Sequence, residues 1–472
     1  MTGIDPRWVD NVPGDLTTRV LARTTGGRAI PGNAVRQLQD GPEVFPVMLD
    51  LIGAARRSIE FENYIIRADA TGRRFAEALA AAAGRGVKVR LLYDWLGCKG
   101  TRRGYWRDLR TAGVDVRGFN RPRATDLYGS LARDHRKLLV ADGRAAVLGG
   151  LCVGDEWEGD PARGVPPWRD SAVLVQGPAA GALAVAFAQT WGLAGGTIPA
   201  DEAVADGEAE GGAIVHVIAT QPGRARIARL LELLAAGAVD RVWITDAYTV
   251  VLPQLRSALR DAARAGVDVR LLVPGSSDIP LVRNLTRFGY RDLLRAGVRI
   301  FEWDGPMLHA KSFVADGRWA RIGSSNLNPS SFLGNYELDV LVEDQAFAAA
   351  VELQFRRDLA RTSEIEVRPR RLAAAMPRLG RVLPTAFERT LPQESVSMPR
   401  PRLRERSYRA GRTLRSVLAG ARRSVFGPLA GALLVIAGLF AFLPRTMATI
   451  VAILSAWLAL SAAREALRRR GD

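Results

Sequence analysis

One order of predicted elements occurs twice within residues 1–367, and it constrains the fold more than any other feature of the sequence. The first copy is predicted to contain a strand at 58–66, a helix at 75–86, a strand at 87–94, and a short helix with a further strand at 109–120. In the second copy the same series is predicted at 241–251, 255–266, 267–275 and 293–304. Strand–helix–strand units of this kind indicate mixed or mainly parallel sheets flanked by helices. We therefore expect an α/β fold with two similar lobes that form one bilobal unit.

The repeat also divides the chain. A segment rich in Gly, Ala and Glu separates the two copies, and the composition changes again after the second copy. We predict a lead segment, a first lobe, a linker and a second lobe at 1–32, 33–196, 197–213 and 214–367. We predict an Arg-rich segment, an apolar helical hairpin and a basic tail at 368–423, 424–463 and 464–472.

Each copy ends in the same short motif, of the form H-x-K-x4-D. The two motifs are HRKLLVAD and HAKSFVAD, and they contain His135, Lys137, Asp142, His309, Lys311 and Asp316. The chain has only 3 His in total, and two of these three lie in the motifs. Nearly all other basic residues are Arg, and a phosphate-facing amine that acts as a compact point charge would resist replacement by Arg.

Residues i and i+2 of a strand point to the same face, so the His and Lys of each motif are expected to project together. If the lobes pack face to face, two imidazoles and two ammonium groups meet in one cleft that suits a phosphodiester. One His would attack phosphorus, the other would protonate the leaving oxygen, and the lysines would neutralise the phosphoryl oxygens. The third histidine, His216, has no such context and is predicted to be structural.

The net charge of +17 lies mainly at the C-terminal end. Residues 368–423 contain 15 Arg and three acids, 424–463 contain one Arg, and 464–472 have a net charge of +2, so +2 remains for residues 1–367. A nearly neutral body argues against a nucleic-acid partner. The Arg-rich segment is either a solvated linker or a segment that lies along an anionic leaflet.

Two apolar runs follow the Arg-rich segment, at 424–444 and 446–463. Each is about as long as a helix that crosses a bilayer core, so they predict a transmembrane hairpin. A buried core hairpin is the alternative. Basic residues flank both outer sides, which places the body in the cytoplasm, and the first residues show no signal-peptide pattern. The two cysteines, Cys98 and Cys152, indicate neither a disulfide framework nor a zinc site.

The paired motifs in duplicated α/β lobes resemble the phospholipase D superfamily, and bacterial cardiolipin synthases within it. The flanking stretches that carry the resemblance are ENYIIRADATG (62–72), VRLLYDWLG (89–97), RDHRKLLVADGRAAVLGGLCVGDEW (133–157), PWRDSAVLVQGPA (167–179), LLVPGSSDIPLV (271–282) and LHAKSFVADGRWARIGSSNLNPSSFLGNYELDV (308–340). The resemblance implies a membrane enzyme of the bacterial cell membrane that uses no metal and no cofactor. Its expected partners are phospholipids, phosphatidylglycerol first, and not nucleic acid.

The resemblance also implies roles for single residues. His135 would form a phosphohistidine, and His309 would act as general acid and then as general base. Lys137, Lys311 and Asn326 would hold the phosphate oxygens, while Asp170 and Glu337 would orient the imidazoles. Asp142 and Asp316 belong to the motifs but are expected to support loops rather than to touch substrate.

This chain departs from the family pattern at two places. Cys152 stands where the family usually has Asn, and DAYT (246–249) stands where synthases usually have TPYF, so that Tyr248 is kept. Both motifs are intact, so we expect activity: transfer of a phosphatidyl group from phosphatidylglycerol to a second lipid alcohol, with release of glycerol. A phospholipase D hydrolase, a phospholipase D-type nuclease and an inactive membrane scaffold are the alternatives.

Overall fold

The computed structural model of the chain describes residues 16–121, 132–199, 202, 207–278 and 280–366. They belong to a unit that extends over Met1–Pro369. The Arg-rich segment, the apolar hairpin and the basic tail, predicted at 368–423, 424–463 and 464–472, lie outside the described residues. Within the described part of the chain, no helix is both long enough and apolar enough to cross a membrane.

A helix, α1 (Leu16–Thr25), precedes two halves with the same order of elements. The first half consists of β1 (Ala29–Gln39), α2 (Asp40–Ala54), β2 (Ser58–Asn63), α3 (Ala70–Gly84), β3 (Lys88–Asp94), α4 (Arg103–Thr111), β4 (Asp115–Phe119), β5 (Lys137–Ala141), β6 (Ala145–Gly149), α5 (Asp155–Glu158), β7 (Ser171–Gln176) and α6 (Pro178–Leu193). The second half consists of β8 (Ala213–Thr220), α7 (Arg226–Gly237), β9 (Arg241–Thr245), α8 (Pro253–Arg264), β10 (Asp268–Pro274), α9 (Pro280–Arg295), β11 (Arg299–Trp303), β12 (Ser312–Ala315), β13 (Trp319–Gly323), β14 (Glu337–Glu343), α10 (Gln345–Leu359) and β15 (Thr362–Glu364). Apart from the short α5, each described element of the first half has a counterpart in the second.

Local chemistry explains where several of these elements begin. Helix α3 starts before the predicted residue 75, because the side chain of Asp69 caps it by accepting a hydrogen bond from the Gly72 amide at 2.9 Å. Helix α10 begins in the same way, with the Asp344 carboxylate accepting from the Phe347 amide at 2.7 Å.

All described strands form one 15-stranded sheet, in the order β15-β11-β10-β9-β12-β13-β14-β8-β1-β7-β6-β5-β2-β3-β4. The antiparallel pair of β1 and β8 joins the halves at the centre of this order. Parallel pairing is confined to β2–β3–β4 and β9–β10–β11, where helices connect the strands. The expectation of a mainly parallel sheet is therefore wrong and that of a mixed sheet is confirmed. The motif strands β5 and β12 are followed by hairpins, which can only give antiparallel neighbours.

The motif aspartates make these hairpin turns. Asp142 and Gly143 have φ values of 55° and 67°, and Asp316 and Gly317 have 51° and 62°. Positive φ at both central residues is the requirement of a type I′ turn, which Asp-Gly satisfies better than most pairs. The second half of each motif thus encodes a turn between β5 and β6 or between β12 and β13.

Three clusters of buried apolar side chains hold the sheet and helices together. The central cluster includes Leu138 and Val140 of the first half, Val314 of the second half, and residues of both α6 and α10. The alternate residue of β5, Leu139, packs instead in a cluster with α2 and α3. A third cluster joins α7, α8 and the outer face of the second half. Successive side chains of β5 therefore point into two different apolar clusters, and the central cluster is shared by both halves.

Candidate active site

The first motif histidine is held by a carboxylate from the second half of the chain. Nδ1 of His135 lies 3.0 Å from Oε2 of Glu337, the first residue of β14. The same carboxylate oxygen accepts a hydrogen bond from the Ser324 hydroxyl at 2.5 Å. Glu337 is fully buried, so its carboxylate has few alternatives to these partners.

The second motif histidine is held in the same way by the first half. Nδ1 of His309 lies 2.7 Å from Oδ2 of Asp170, the residue before β7. The indole N–H of Trp157 donates to the same oxygen at 3.1 Å, and the Ser171 amide donates to the other oxygen at 2.8 Å. Each half therefore supplies the acid that orients the imidazole of the other half.

Backbone contacts fix this exchange. The His135 amide donates to the Tyr336 carbonyl at 2.9 Å, and the His309 amide donates to the Arg169 carbonyl at 2.7 Å. Neither histidine lies inside a strand, since β5 begins at Lys137 and β12 at Ser312. The prediction that strand alternation aligns His and Lys is wrong for this reason: the residues before each strand pair with the opposite half instead.

The motif lysines turn back toward the histidines and are buried. Nζ of Lys137 donates to the His135 carbonyl at 2.5 Å, and Nζ of Lys311 donates to the His309 carbonyl. A tyrosine ring lies near each ammonium group, Tyr64 at 5.1 Å from Lys137 and Tyr248 at 5.9 Å from Lys311. Burial lowers the pKa of Lys311 to about 8, against the opposing effect of Asp170.

Electrostatic interactions connect the two histidines and the two lysines across the boundary between the halves. Burial is the main cause that lowers the pKa of both histidines, to about 3 for His309, and the neighbouring lysine of each motif lowers it further. Lys311 also lowers the pKa of His135, and Lys137 lowers that of His309, so each ammonium acts across the boundary between the halves.

The pKa values of the two acids that bind the imidazoles are both lowered. Burial favours a raised pKa for Asp170 and Glu337, but the neighbouring histidine and lysine outweigh it, so both pKa values are lowered. Without a ligand, each pair therefore consists of an ionised carboxylate and a neutral imidazole, with its proton on Nδ1.

The sequence and the fold match known proteins. A family model described as cardiolipin synthase, PLD-like domain, matches residues 48–154 and 230–359. Cardiolipin synthase A from Pseudomonas aeruginosa is 34% identical over 373 residues, which cover 78% of this chain and 76% of the relative. The chain belongs to the cardiolipin synthase family of phospholipase D-like proteins.

Two further comparisons agree with membership in this family. Cardiolipin synthase A from Pseudomonas entomophila is 33% identical over 385 residues, which cover 79% of each chain. The crystal structure of a phosphatidylserine synthase from Haemophilus influenzae matches with a TM-score of 0.59 at 16% identity, and covers 74% of this chain and 92% of that one. This last likeness shows the fold alone.

Asn326 and Cys152 occupy equivalent positions in the two halves of this chain. Both lie three residues after the glycine that ends β6 or β13. The Asn326 carboxamide oxygen is buried and has no hydrogen-bond partner among the described residues. Cys152 is 1% exposed, and burial raises the pKa of its thiol although Lys137 opposes this shift.

The structure does not bring the motif aspartates to the cleft. Asp142 lies at the far end of β5 from Lys137, where its carboxylate accepts hydrogen bonds from the amides of residues 56–58 at 2.7–3.2 Å. Asp316 accepts from the amides of residues 239–241 at 2.9–3.0 Å. Each carboxylate ties the hairpin turn to the start of the neighbouring strand, β2 or β9.

Sequence reasoning missed several aromatic residues around the imidazoles. The ring of Tyr64 meets that of His135 edge-on at 4.9 Å, and Tyr248 meets His309 at 5.9 Å. Trp157 and Trp168 each lie 5.7 Å from His309. One signal was available, because Tyr64 and Tyr248 each lie near the C-terminal end of the first predicted strand of their copy, at 58–66 and 241–251. Trp157 lies in the short helix α5 and Trp168 in the segment before β7, and no periodic pattern pointed to their contacts with His309.

His216 lies apart from this site, on β8 between β1 and β14. Both of its ring nitrogens are buried, and neither has a hydrogen-bond partner among the described residues. Burial lowers the pKa of His216 to about 4. The described residues also include no group of three or more His, Cys, Asp or Glu that could hold a metal ion.

Proposed function

We propose that this chain is a phosphatidyltransferase that makes cardiolipin and glycerol from two molecules of phosphatidylglycerol. One observation carries the proposal: two imidazoles are each bonded to a buried acid of the opposite half, and a buried ammonium group binds the backbone carbonyl of each histidine. This arrangement suits an anionic phosphodiester, since nucleophile, proton donor and charge neutralisation are all present without a metal. The named relatives are cardiolipin synthases, which supports the lipid substrate.

In the first step we assign the attack to His135. Its Nε2 forms a bond to phosphorus while the bond from phosphorus to the glycerol oxygen breaks, and that oxygen takes the Nε2 proton of His309. The lowered pKa of His135 keeps its Nε2 lone pair available at neutral pH. Glu337 holds the other ring proton and stabilises the positive charge that develops on the imidazole.

His309 must carry a proton for this step, although its pKa is about 3 without a ligand. A bound phosphodiester raises the pKa of His309, because its negative charge offsets the charges of Lys137 and Lys311 and so favours the imidazolium. In the second step the hydroxyl of another phosphatidylglycerol gives its proton to His309 and bonds to phosphorus. The bond from phosphorus to Nε2 of His135 then breaks.

The remaining predicted residues take supporting roles in the proposal. The amide group of Asn326 donates to a phosphoryl oxygen, whereas Cys152 lacks such a donor at the equivalent place in the first half. Asp142 and Asp316 stabilise the hairpin turns and do not touch the substrate. We retain the division into lobes at 33–196 and 214–367, with a linker at 197–213.

The proposal includes attachment to the bacterial cell membrane through two helices at 424–463, with the catalytic body on the cytoplasmic side. The support is the sequence: two apolar runs, separated by Arg445 and flanked by Arg on both outer sides. Deletion of residues 424–472 should release the body into the soluble fraction. A body that stays fully membrane-bound after the deletion contradicts this anchor.

A product assay tests the activity. Purified protein is incubated with labelled phosphatidylglycerol in vesicles, and cardiolipin, glycerol and phosphatidic acid are measured beside His135→Ala. We expect cardiolipin and glycerol in equal amounts from the unmodified protein, and neither from the variant. Phosphatidic acid as the main product would show a hydrolase instead.

A further inference from the structure

We propose that the rim of the catalytic cleft is a membrane-docking surface that enters an anionic bilayer. It consists of three exposed apolar residues, Leu96, Val165 and Leu333, and of three cationic residues, Lys99, Arg102 and Arg103. The inference deepens the proposed function, on which it rests, because it states how the cleft reaches lipids that remain in the bilayer.

Three of the seven large apolar side chains that are exposed among the described residues lie on loops next to the imidazoles. Leu96, Val165 and Leu333 have exposed fractions of 41%, 48% and 49%. They belong to three separate loops, far apart in the sequence, so no single irregular segment explains them. Exposed large apolar residues that recur around one site indicate an interaction surface.

Each of these loops leads directly to a residue of the cleft. Leu96 follows β3, and the next residue, Gly97, packs so closely on Tyr64 that a Cβ there would lie 2.1 Å from the Tyr64 carbonyl oxygen. Tyr64 in turn contacts the ring of His135. Val165 comes three residues before Trp168, which lies against His309.

Leu333 reaches the same edge from the second half. It lies in a short helical turn, Ser330–Gly334, four residues before Glu337, and its carbonyl accepts from the Gly223 amide at 2.9 Å. Gly223 follows the end of β8, and Thr220 at that end pairs with Glu337. The three apolar residues therefore lie on loops that lead to Tyr64, Trp168 and Glu337, which contact the two imidazoles.

The charges on the loop that carries Leu96 match an anionic surface. Lys99, Arg102 and Arg103 are exposed, none forms an ion pair with a described residue, and residues 95–107 contain no acid. Arg102 occupies the N-cap position of α4, where its side chain makes no capping hydrogen bond, and Arg103 is the first residue of the helix. Cations are unfavourable at this end of a helix dipole, so an anionic partner would relieve a cost that the free protein carries.

We identify the partner as an anionic lipid surface rather than a protein. The apolar residues project from separate loops around a cleft and do not form a continuous groove for a helix or strand. Isolated apolar side chains with cations beside them are typical of proteins that insert shallowly into the headgroup region. Docking in this way places the mouth of the cleft at the level of the phosphodiester.

Site-specific labelling of the full chain tests the surface. The two native cysteines are 4% and 1% exposed, so single cysteines from Leu96→Cys, Leu333→Cys and Val239→Cys can be labelled with a small fluorophore. Val239 is the matched control, since it is 83% exposed but its amide binds Asp316, which follows the end of β12 that lies away from Lys311.

The labelled chains are reconstituted in vesicles of phosphatidylcholine and phosphatidylglycerol, with and without a lipid that carries a quencher. We expect quenching at 96 and 333 to exceed that at 239 at least twofold. Equal quenching at all three positions overturns the proposal.

Activity gives a second readout that separates docking from chemistry. Leu96→Asp and Leu333→Asp should lower kcat/KM about tenfold on phosphatidylglycerol in vesicles, and should leave it unchanged on dispersed short-chain phosphatidylglycerol. Val239→Asp should change neither. An equal loss on both substrates contradicts docking. If the unmodified protein converts neither substrate, the proposed function fails, while the quenching experiment still decides the docking surface.

Discussion

Replacement of Asp170 by Asn separates the roles of the two imidazoles. In the structure one oxygen of Asp170 accepts from His309 Nδ1 at 2.7 Å and from Trp157 at 3.1 Å, while the other accepts from the Ser171 amide at 2.8 Å. An Asn side chain has one acceptor and one donor group. It must either oppose the Ser171 amide with its NH₂ group or present that group to His309, which forces the ring proton onto Nε2.

The size of the effect follows from these contacts. Loss of one buried, charge-assisted hydrogen bond costs roughly 1.5–3 kcal/mol, which is about ten- to a hundredfold in rate. A wrong imidazole tautomer adds to this, and the corresponding change in a Ser-His-Asp triad costs about 10⁴-fold. We therefore expect Asp170→Asn to lower turnover of phosphatidylglycerol by roughly 10²- to 10⁴-fold.

The assay compares two leaving groups. Glycerol is a basic leaving group and needs the proton of His309, whereas p-nitrophenol leaves without assistance from a general acid. With a phosphatidyl p-nitrophenyl ester, Asp170→Asn should still release one equivalent of p-nitrophenol in a burst and then stop. The second step should stall because His309 no longer activates the acceptor alcohol.

Glu337→Gln is the matched variant on the other imidazole. Because Glu337 orients His135, this change should slow the burst itself with either leaving group. The assignment of roles is refuted if Asp170→Asn loses the burst as fully as it loses turnover of phosphatidylglycerol. It is also refuted if Glu337→Gln keeps the burst at its original rate.

Three other predictions concern pH and stability. Burial lowers the pKa of His216 to about 4, so the neutral ring stabilises the fold above its ordinary pKa of 6.5, and this stability is lost as pH falls toward 4. His216 should contribute about 2 kcal/mol to the unfolding free energy that is lost between pH 7.5 and 5, and His216→Leu should reduce the loss by this amount when urea unfolding is followed at both pH values. An equal loss in both proteins contradicts this account of His216. The pKa of Lys311 is about 8, so the side chain loses its charge above that pH. The KM for phosphatidylglycerol should therefore rise about tenfold from pH 7 to 9. A KM that stays constant to pH 10 contradicts the role of Lys311 as a phosphate ligand. Asp316→Ala removes the carboxylate that accepts hydrogen bonds from three amides at a turn with positive φ. The change should lower the melting temperature, while the kcat of the folded protein should change less than threefold. A large fall in kcat at an unchanged melting temperature would show that Asp316 takes part in the chemistry.

The repeat of elements was predictable because each helix and strand carries its own periodic pattern. The sheet order was predicted less well, since the Asp-Gly pairs that create the hairpins were assigned to the motif and not to turns. Asp142 shows the point: its residue type and the following Gly143 are those of a type I′ turn, and the structure gives it positive φ.

The histidines and lysines of the site were evident from the sequence, but their pairing was not. His135 meets Glu337, 202 residues later in the chain, and His309 meets Asp170, 139 residues earlier. Such contacts depend on how the two halves pack, which no local pattern encodes. The contacts of Trp157, in the short helix α5, and of Trp168, before β7, with His309 depend on the same packing.

Trapping the covalent intermediate tests the central claim most directly. The protein is mixed with phosphatidylglycerol labelled in its phosphate, quenched in strong base to preserve phosphohistidine, and digested for mass spectrometry. We predict label on His135 alone in the unmodified protein, retained label at His135 in His309→Ala when the p-nitrophenyl ester is the donor, and none in His135→Ala. Label on His309, or full turnover by His135→Ala, contradicts transfer through His135.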